Sequence, residues 1–353
     1  MRATNVKPIL MVLLGLSFWA AFQVMAPAYN GFDLELGSVQ FPARQFAPFA
    51  VLFSTLGFAG AVCVAVGLTE LRPTWAEREL RWFVPVAAGV GVLIPSLIRY
   101  GVLGGGVLTD DESVYRFSAE LLASGRLSVE SHPLRLFFDH AFIVNDGRMY
   151  PQYFLGWPAL MALSLPFGGP GYLNAIISGA TVPGLYKLAE KLVGARWAKL
   201  AVVLFLSSPM IQIAAATQMS HTATLAFLVY AILFATMAQP GARPRTHAIF
   251  GLLLGVAFFI RPLSAVGLAL PWGLLWLSQQ ARAPRHWRNI LAFTLPVFVL
   301  AALFLWVNTE LTGSAFKTGY QRAFEYAMEN DLRFSHVGEH RIGERVLTTS
   351  GGL

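Results

Sequence analysis

The chain has 353 residues, 56% of them hydrophobic and 13% charged, with a mean hydropathy of +0.57 and a formal net charge of +7. A soluble domain carries about 25% charged residues, so a water-soluble fold is excluded. The basic residues sit in short clusters between apolar runs rather than in a stripe, which excludes a nucleic-acid footprint and reads as membrane topology.

Apolar runs at 7–27, 46–69, 82–104, 171–187, 199–217, 221–238, 247–261, 264–279 and 289–307 approach the length of about 20 residues that crosses about 30 Å of hydrocarbon. They predict an all-α, polytopic transmembrane bundle of about nine spans. The first run follows Arg2 and Lys7 and is read as a span rather than a signal peptide. The one cysteine, Cys63, lies in the second run, so no intrachain disulfide forms.

The apolar stretch from Phe154 to Phe167 is short and is interrupted by Pro158 and Pro166, so it reads as re-entrant or interfacial. Charge decides the point. With the N-terminus inside and this stretch not crossing, the basic clusters at 72–81, 187–199, 243–245 and 282–288 all fall on the cytoplasmic side. Between residues 150 and 309 the one acid is Glu190, while acids gather in 105–150 and after 309, the two polar segments placed outside. Trp82, Trp197 and Trp287 flank the inner clusters, as interfacial indoles do.

The first outer segment, 105–153, opens on Thr109, Asp110, Asp111 and Glu112, and continues with Val114, Phe117, Leu121 and Leu122 at helical spacing. An amphipathic helix on the membrane surface is expected. Thr109 and Glu112 match a capping box, and acids suit a first turn, so capping alone would account for the cluster. Three acids exceed what a cap needs, however. Glu112 finds a partner at Arg116, four residues on, whereas Asp111 shares a face with Tyr115 and has no base at that spacing, which makes it the candidate general base.

The run from Asp111, Glu112, Ser113, Val114 and Tyr115 through Ala119 to Gly125 resembles the first outer loop of the GT-C membrane glycosyltransferases, nearest to the aminoarabinose transferases and protein O-mannosyltransferases. The resemblance continues through Tyr150, Pro151, Gly156, Trp157 and Pro158, where that family places a juxtamembrane helix, and reaches Asn308, Gly313 and Tyr320. It implies an inverting transfer of sugar from a polyprenyl-phosphate carrier to a lipid, glycan or protein acceptor at the extracytoplasmic face, with Asp111 as base and Glu112 beside it. On this reading 1–81 is an added transmembrane hairpin, 82–307 the GT-C-like module and 308–353 an outer segment, in a bacterial inner membrane with membrane lipids as neighbours. The chain departs from the aminoarabinose type in carrying Tyr150, Pro151 and Gln152 where those proteins have Lys-Pro-Pro, and it reads as a truncated member.

Such a transfer needs cations against the departing phosphate. Arg261, at the outer end of an apolar run and before Pro262, is the first candidate, and Arg148 the second; an arginine at a helix end also snorkels to headgroups. Asp110, Tyr115, Tyr150 and His221 complete the expected substrate contacts, His221 also reading as an interfacial cap. No cofactor is required by the sequence, and a divalent metal is compatible with it. His132, Asp139 and His140 lack diagnostic ligand spacing, and His336, Glu339 and His340 match H-x-x-E-H with Gly338 breaking the helix that motif needs. Gly104, Gly105 and Gly106 lack the Lys-Ser or Lys-Thr of a phosphate loop. The alternatives are a lipid or glycan transporter or flippase, which would place ionisable groups at mid-membrane, and a polysaccharide polymerase or ligase.

Overall fold

The computed structural model describes residues 10–15, 17, 63, 81–282, 287–330, 338–342 and 345–349. The chain divides into two compact units, Glu79–Leu332 and a second made of Met1–Arg78 with Arg333–Leu353. In the second unit residues 10–15 are helical and Gly338–Ile342 pairs antiparallel with Arg345–Thr349. Glu339 and His340 are therefore on a strand, where the zinc-protease motif needs a helix; His336 lies outside the described residues, as do almost all of the runs at 7–27 and 46–69.

The main unit is mostly helical. Helix α1 (Phe83–Leu97) runs on through a π turn, Ile98–Val102, and leads to α2 (Asp110–Ala123). Three short strands follow: β1 (Val129–Glu130), β2 (Ile143–Asp146) and β3 (Arg148–Pro151), in the antiparallel order β1-β3-β2. Then come α3 (Gly156–Ser164), α4 (Leu173–Val193), α5 (Ala195–Ser207), α6 (Pro209–Ala216), α7 (His221–Met237), α8 (Pro244–Ile260), α9 (Pro262–Ala281), α10 (Trp287–Thr312) and α11 (Gly319–Glu329). Each apolar run from 82 onward is thus a helix, or a pair of helices, close to its expected bounds.

Among the described residues two helices, Phe83–Val102 and Trp287–Thr312, are long and apolar enough to cross a bilayer, and up to four crossings are counted if each of two bent pairs forms one span. One pair, Gly156–Phe167 with Pro170–Val193, turns through 118°, so the Pro158 and Pro166 stretch doubles back instead of continuing straight. Helix α3 has nine residues, about 14 Å, too short to cross alone. The other pair breaks by 59° at Ser208–Pro209. Helices α7 and α8 have 17 residues each, about 26 Å, at the lower edge of spanning length. Arginines stack on neighbouring indoles at Trp82, Trp197 and Trp287, with guanidinium carbons 5.6, 4.8 and 5.6 Å from the ring centroids.

At the opposite ends of these helices, α2, the three-stranded sheet and α11 form a cap. Tyr326 of α11 is buried and donates to Asp139 Oδ1 (2.6 Å) and to the Asn145 carbonyl (3.0 Å), and Arg322 pairs with Asp146 (3.0 Å). Two glycines let this cap seat closely. A Cβ on Gly156 would stand 2.6–2.7 Å from the backbone of Phe259 and Ile260, and one on Gly319 would stand 2.6 Å from the Gln152 carbonyl oxygen. Any larger residue would push α3 off the end of α8, or α11 off the strand that precedes Tyr153.

Candidate functional site

Thr109 caps α2 by accepting from Glu112 N–H (3.3 Å), half of the expected capping box. The reciprocal half is absent because the Glu112 carboxylate is turned inward. It is fully buried, accepts from Gln218 N–H (3.1 Å) and faces Arg99 Nη1 at 4.0 Å, across a pair 2% and 0% exposed. The expected Glu112–Arg116 pair does not form: Arg116 faces outward and bonds Glu120 (3.0 Å), because position 112 lies on the buried face of α2 with Tyr115 and Ala119. Burial pushes the Glu112 carboxyl above the usual carboxylate range, opposed by Gln218 N–H and Arg99.

Arg99 lies on the π turn that ends α1, and donates to the carbonyls of Ala216 (3.0 Å), Gly105 (2.9 Å) and Gly106 (3.1 Å). The glycine stretch therefore folds back over a guanidinium. The segment joining α6 to α7 is pinned just as thoroughly. Asn174 donates to Thr217 and Met219 carbonyls (both 2.7 Å) and Trp157 Nε1 to the Gln218 carbonyl (2.7 Å). Irregular backbone in an apolar bundle requires such partners, since nothing else there can take its polar groups. Its fixed position places Ser220 and His221.

Asp111, one residue from Glu112, faces the other way, half-buried. Tyr153 donates to its Oδ1, and its Oδ2 has no hydrogen bond among the described residues. The Tyr153 ring stacks on Tyr115 at 4.1 Å and 28°, and meets Tyr320 edge-on at 5.5 Å and 81°. The Tyr115 hydroxyl lies 3.2 Å from Ser220 Oγ, to which Arg261 Nη1 also donates at 3.4 Å. Arg261 occupies the break between α8 and α9, where Pro262 starts the new helix. His221 opens α7 next to Ser220, and partial burial, with the Arg261 charge adding and Asp111 opposing, holds its imidazole below the ordinary value.

Burial raises the Tyr115, Tyr153 and Tyr320 hydroxyls above their ordinary value, the Asp111 acceptor adding to the effect at Tyr153. All three phenols therefore keep their protons at neutral pH. The cluster offers a carboxylate whose second oxygen has no hydrogen bond among the described residues, a guanidinium and three neutral phenols. This set can take a proton from a hydroxyl and hold an anion within one site.

Of the residues singled out in the sequence, Asp111, Tyr115, His221 and Arg261 converge here. Four others are elsewhere. Asp110 is exposed, and its carbonyl accepts from Ser113 Oγ (2.7 Å). Glu112 is a positioning residue in the interior. Tyr150 packs in a separate core with Leu155, Val307 and Tyr326, because alternation along β3 turns it toward α10 and α11. Arg148, exposed on the same strand, donates to the Glu310 carbonyl (3.2 Å) and points along α10 rather than into the cluster. His132 and His140 accept backbone N–H groups from Leu134 and Phe142 (both 3.1 Å), and Asp139 serves Tyr326, Asn145 and Arg135. Among the described residues no group of three or more His, Cys, Asp or Glu side chains could hold a metal ion.

Arg99, Tyr153, Ser220 and Tyr320 were not singled out as site residues from the sequence. Arg99 carried a usable signal, a charge ending an apolar run, the same one that marked Arg261. Tyr320 entered only as part of the resemblance at Asn308, Gly313 and Tyr320, and Tyr153 and Ser220 are ordinary residues until the fold brings them together. Compared with protein-family models, curated proteins and solved structures, the chain finds no match in any of the three.

Proposed function

We propose that the protein is a membrane-embedded glycosyltransferase that uses a lipid-phosphate sugar at the extracytoplasmic face, with the cap of α2, α11 and the sheet above the bilayer. The observation that carries this reading is that Asp111 and Arg261, from distant parts of the sequence, are joined through Tyr153, Tyr115 and Ser220. A carboxylate for an acceptor hydroxyl and a guanidinium for a departing phosphate are the two groups the reaction needs. The acceptor oxygen bonds to the anomeric carbon as the bond from that carbon to the phosphate oxygen breaks. The electron pair leaves on the lipid phosphate beside Arg261, and the hydroxyl proton passes to Asp111. Tyr153 orients the carboxylate, and Glu112 with Arg99 fixes the first turn of α2 that carries it.

Topology supports the location. Among the described residues, the Lys and Arg of 187–199, Arg243, Arg245, Arg282 and Arg288 lie at the ends of the helices remote from this cap, as the positive-inside rule places them for an N-in protein. A transporter would gather ionisable groups at mid-membrane, whereas this cluster lies at the helix ends. The test is transfer of labelled sugar from a polyprenyl-phosphate donor in membranes containing the protein. Asp111→Asn abolishes transfer at unchanged abundance; undiminished transfer in that variant removes the base and the reading with it.

A further inference from the structure

The outer cap carries an aromatic strip that leads away from Asp111. Tyr153, which donates to Asp111, meets the Phe142 ring at 6.1 Å and 50°. Phe142 in turn meets His140 at 5.4 Å and 57°, and on the same loop His132 meets Phe138 at 4.6 Å and 49°. Exposure rises along this order. Tyr153 is buried, His140 and Phe142 are half-buried, and His132 and Phe138 are exposed. Two histidine–phenylalanine pairs thus connect the site to the outer surface of the cap.

The pairs are built alike. In each, the imidazole Nδ1 accepts the N–H two residues on, from Leu134 at His132 and from Phe142 at His140, both at 3.1 Å. An imidazole that accepts at Nδ1 carries the proton of its neutral form on Nε2, so each ring holds one N–H donor in a set direction beside a phenyl ring. Their backing is fixed as well. Arg135 donates to Asn330 (2.5 Å) and Tyr326 to Asp139 (2.6 Å), so the residues that bracket Phe137 and Phe138 are tied to α11 and its end. Ile143 N–H bonds the His140 carbonyl (3.0 Å). A strip held this way loses little freedom when a ligand lies on it.

An aromatic face with an N–H donor at its edge matches the chemistry of a sugar ring, which presents an apolar C–H face and hydroxyl acceptors around its rim. Charge narrows the class. The ionic side chains between the two pairs, Arg135 and Asp139, face each other at 3.7 Å and bond α11 residues, so this stretch of the loop offers an anionic polymer no cation. Phe138 and Phe142 are four residues apart, at most about 14 Å, so one oligosaccharide reaches both pairs.

We infer that the acceptor is a neutral glycan chain, stacked on His140–Phe142 and His132–Phe138 as two successive subsites, with its terminal hydroxyl delivered past Tyr153 to Asp111. The inference rests on the glycosyl-transfer reading and deepens it by naming the acceptor's class and its path to the base.

The full-length protein in detergent is titrated calorimetrically with cellotetraose, chitotetraose and the monosaccharide of each. The expected result is that at least one tetrasaccharide binds about tenfold more tightly than its monosaccharide, and that His132→Asn and Phe138→Ala each lose this gain. His132→Asn keeps the bond from Leu134 N–H, because an asparagine side chain accepts from the backbone two residues on, so the loop retains its shape. A second measurement needs no variant: the bound tetrasaccharide slows carbethoxylation of His132 and His140 by diethyl pyrocarbonate. No binding of either tetrasaccharide, a gain that both variants retain, or histidines left unprotected overturns the inference. Protection of both histidines by phosphatidylglycerol vesicles without glycan also overturns it, making the strip a membrane anchor. Sugar transfer from a polyprenyl-phosphate donor to a lipid, with no glycan bound, overturns it while sparing the glycosyl-transfer reading. Tetrasaccharide binding lost in both variants, with no transfer from any polyprenyl-phosphate sugar, upholds the subsites and overturns that reading.

Discussion

Replacing Arg99 by Met keeps the length of the side chain and removes its charge from the interior. Three hydrogen bonds to the carbonyls of Ala216, Gly105 and Gly106 are lost, and the Glu112 carboxylate, fully buried, loses the cation 4.0 Å away. Breaking a buried pair by removing one partner costs about 3–5 kcal/mol, mostly for the charge left behind. For a unit of this size that is a fall in Tm on the order of 10 °C. The carboxyl has an escape, which is to take a proton. Its affinity for one is already raised by burial, and a carboxyl with a raised folded pKa contributes stability below its unfolded pKa that is lost as pH rises through the folded one. Without Arg99 the folded pKa rises further, so the deficit of Arg99→Met relative to the unaltered protein is largest in mild alkali and shrinks on acidification. Adding Glu112→Gln removes the stranded charge, so the double variant recovers at least about 1 kcal/mol of the sum of the single losses. Thermal unfolding in detergent at several pH values measures all of this. A deficit independent of pH, together with additive losses, would refute the pairing.

Tyr153→Phe removes the hydrogen bond to Asp111 and leaves the stack on Tyr115; transfer falls about tenfold, the effect of about 1.4 kcal/mol, with Tm within about 2 °C, and an unchanged rate would show that Asp111 needs no orienting donor. Arg261→Ala weakens donor dependence at least tenfold while leaving acceptor dependence within a factor of two, and the reverse ranking in steady-state kinetics would return Arg261 to a headgroup anchor. Gly156→Ala drives a methyl into the Phe259–Ile260 backbone and costs about 1–3 kcal/mol, read as a lower Tm; a neutral effect would mean that α3 is not held against α8. Tyr326→Phe strips two hydrogen bonds from the clasp between α11 and the sheet, so Tyr320 becomes more accessible to aqueous labels and Tm falls by a few degrees; an unaltered labelling rate would place Tyr320 independently of that clasp.

The helices from residue 82 onward were legible because their apolar runs are long, and Pro158 and Pro166 marked the stretch that bends back. The α2 helix was legible from Thr109 and from the spacing of Val114, Leu121 and Leu122. Which carboxylate faces the site was not. Asp111 and Glu112 are neighbours with the same chemistry, and a rotation of about 100° between successive helical residues sends one to Tyr153 and the other to Arg99. Local pairing rules favoured Arg116 for Glu112, and burial overrode them.

Amino-acid order alone thus determined that the chain is apolar and mostly helical and where its helices lie, and it marked Asp111 and Arg261 as candidates beside the plainer readings of a helix cap and a headgroup anchor. Tertiary structure alone decided that these two share a site with Tyr153, Ser220 and Tyr320 and that Arg148 and Tyr150 do not. The reason is physical: apolar length and helix-breaking residues act over a few neighbours in the chain. A site assembled from positions 111, 153, 220, 261 and 320 depends instead on how helix faces rotate and on where glycines let backbones touch.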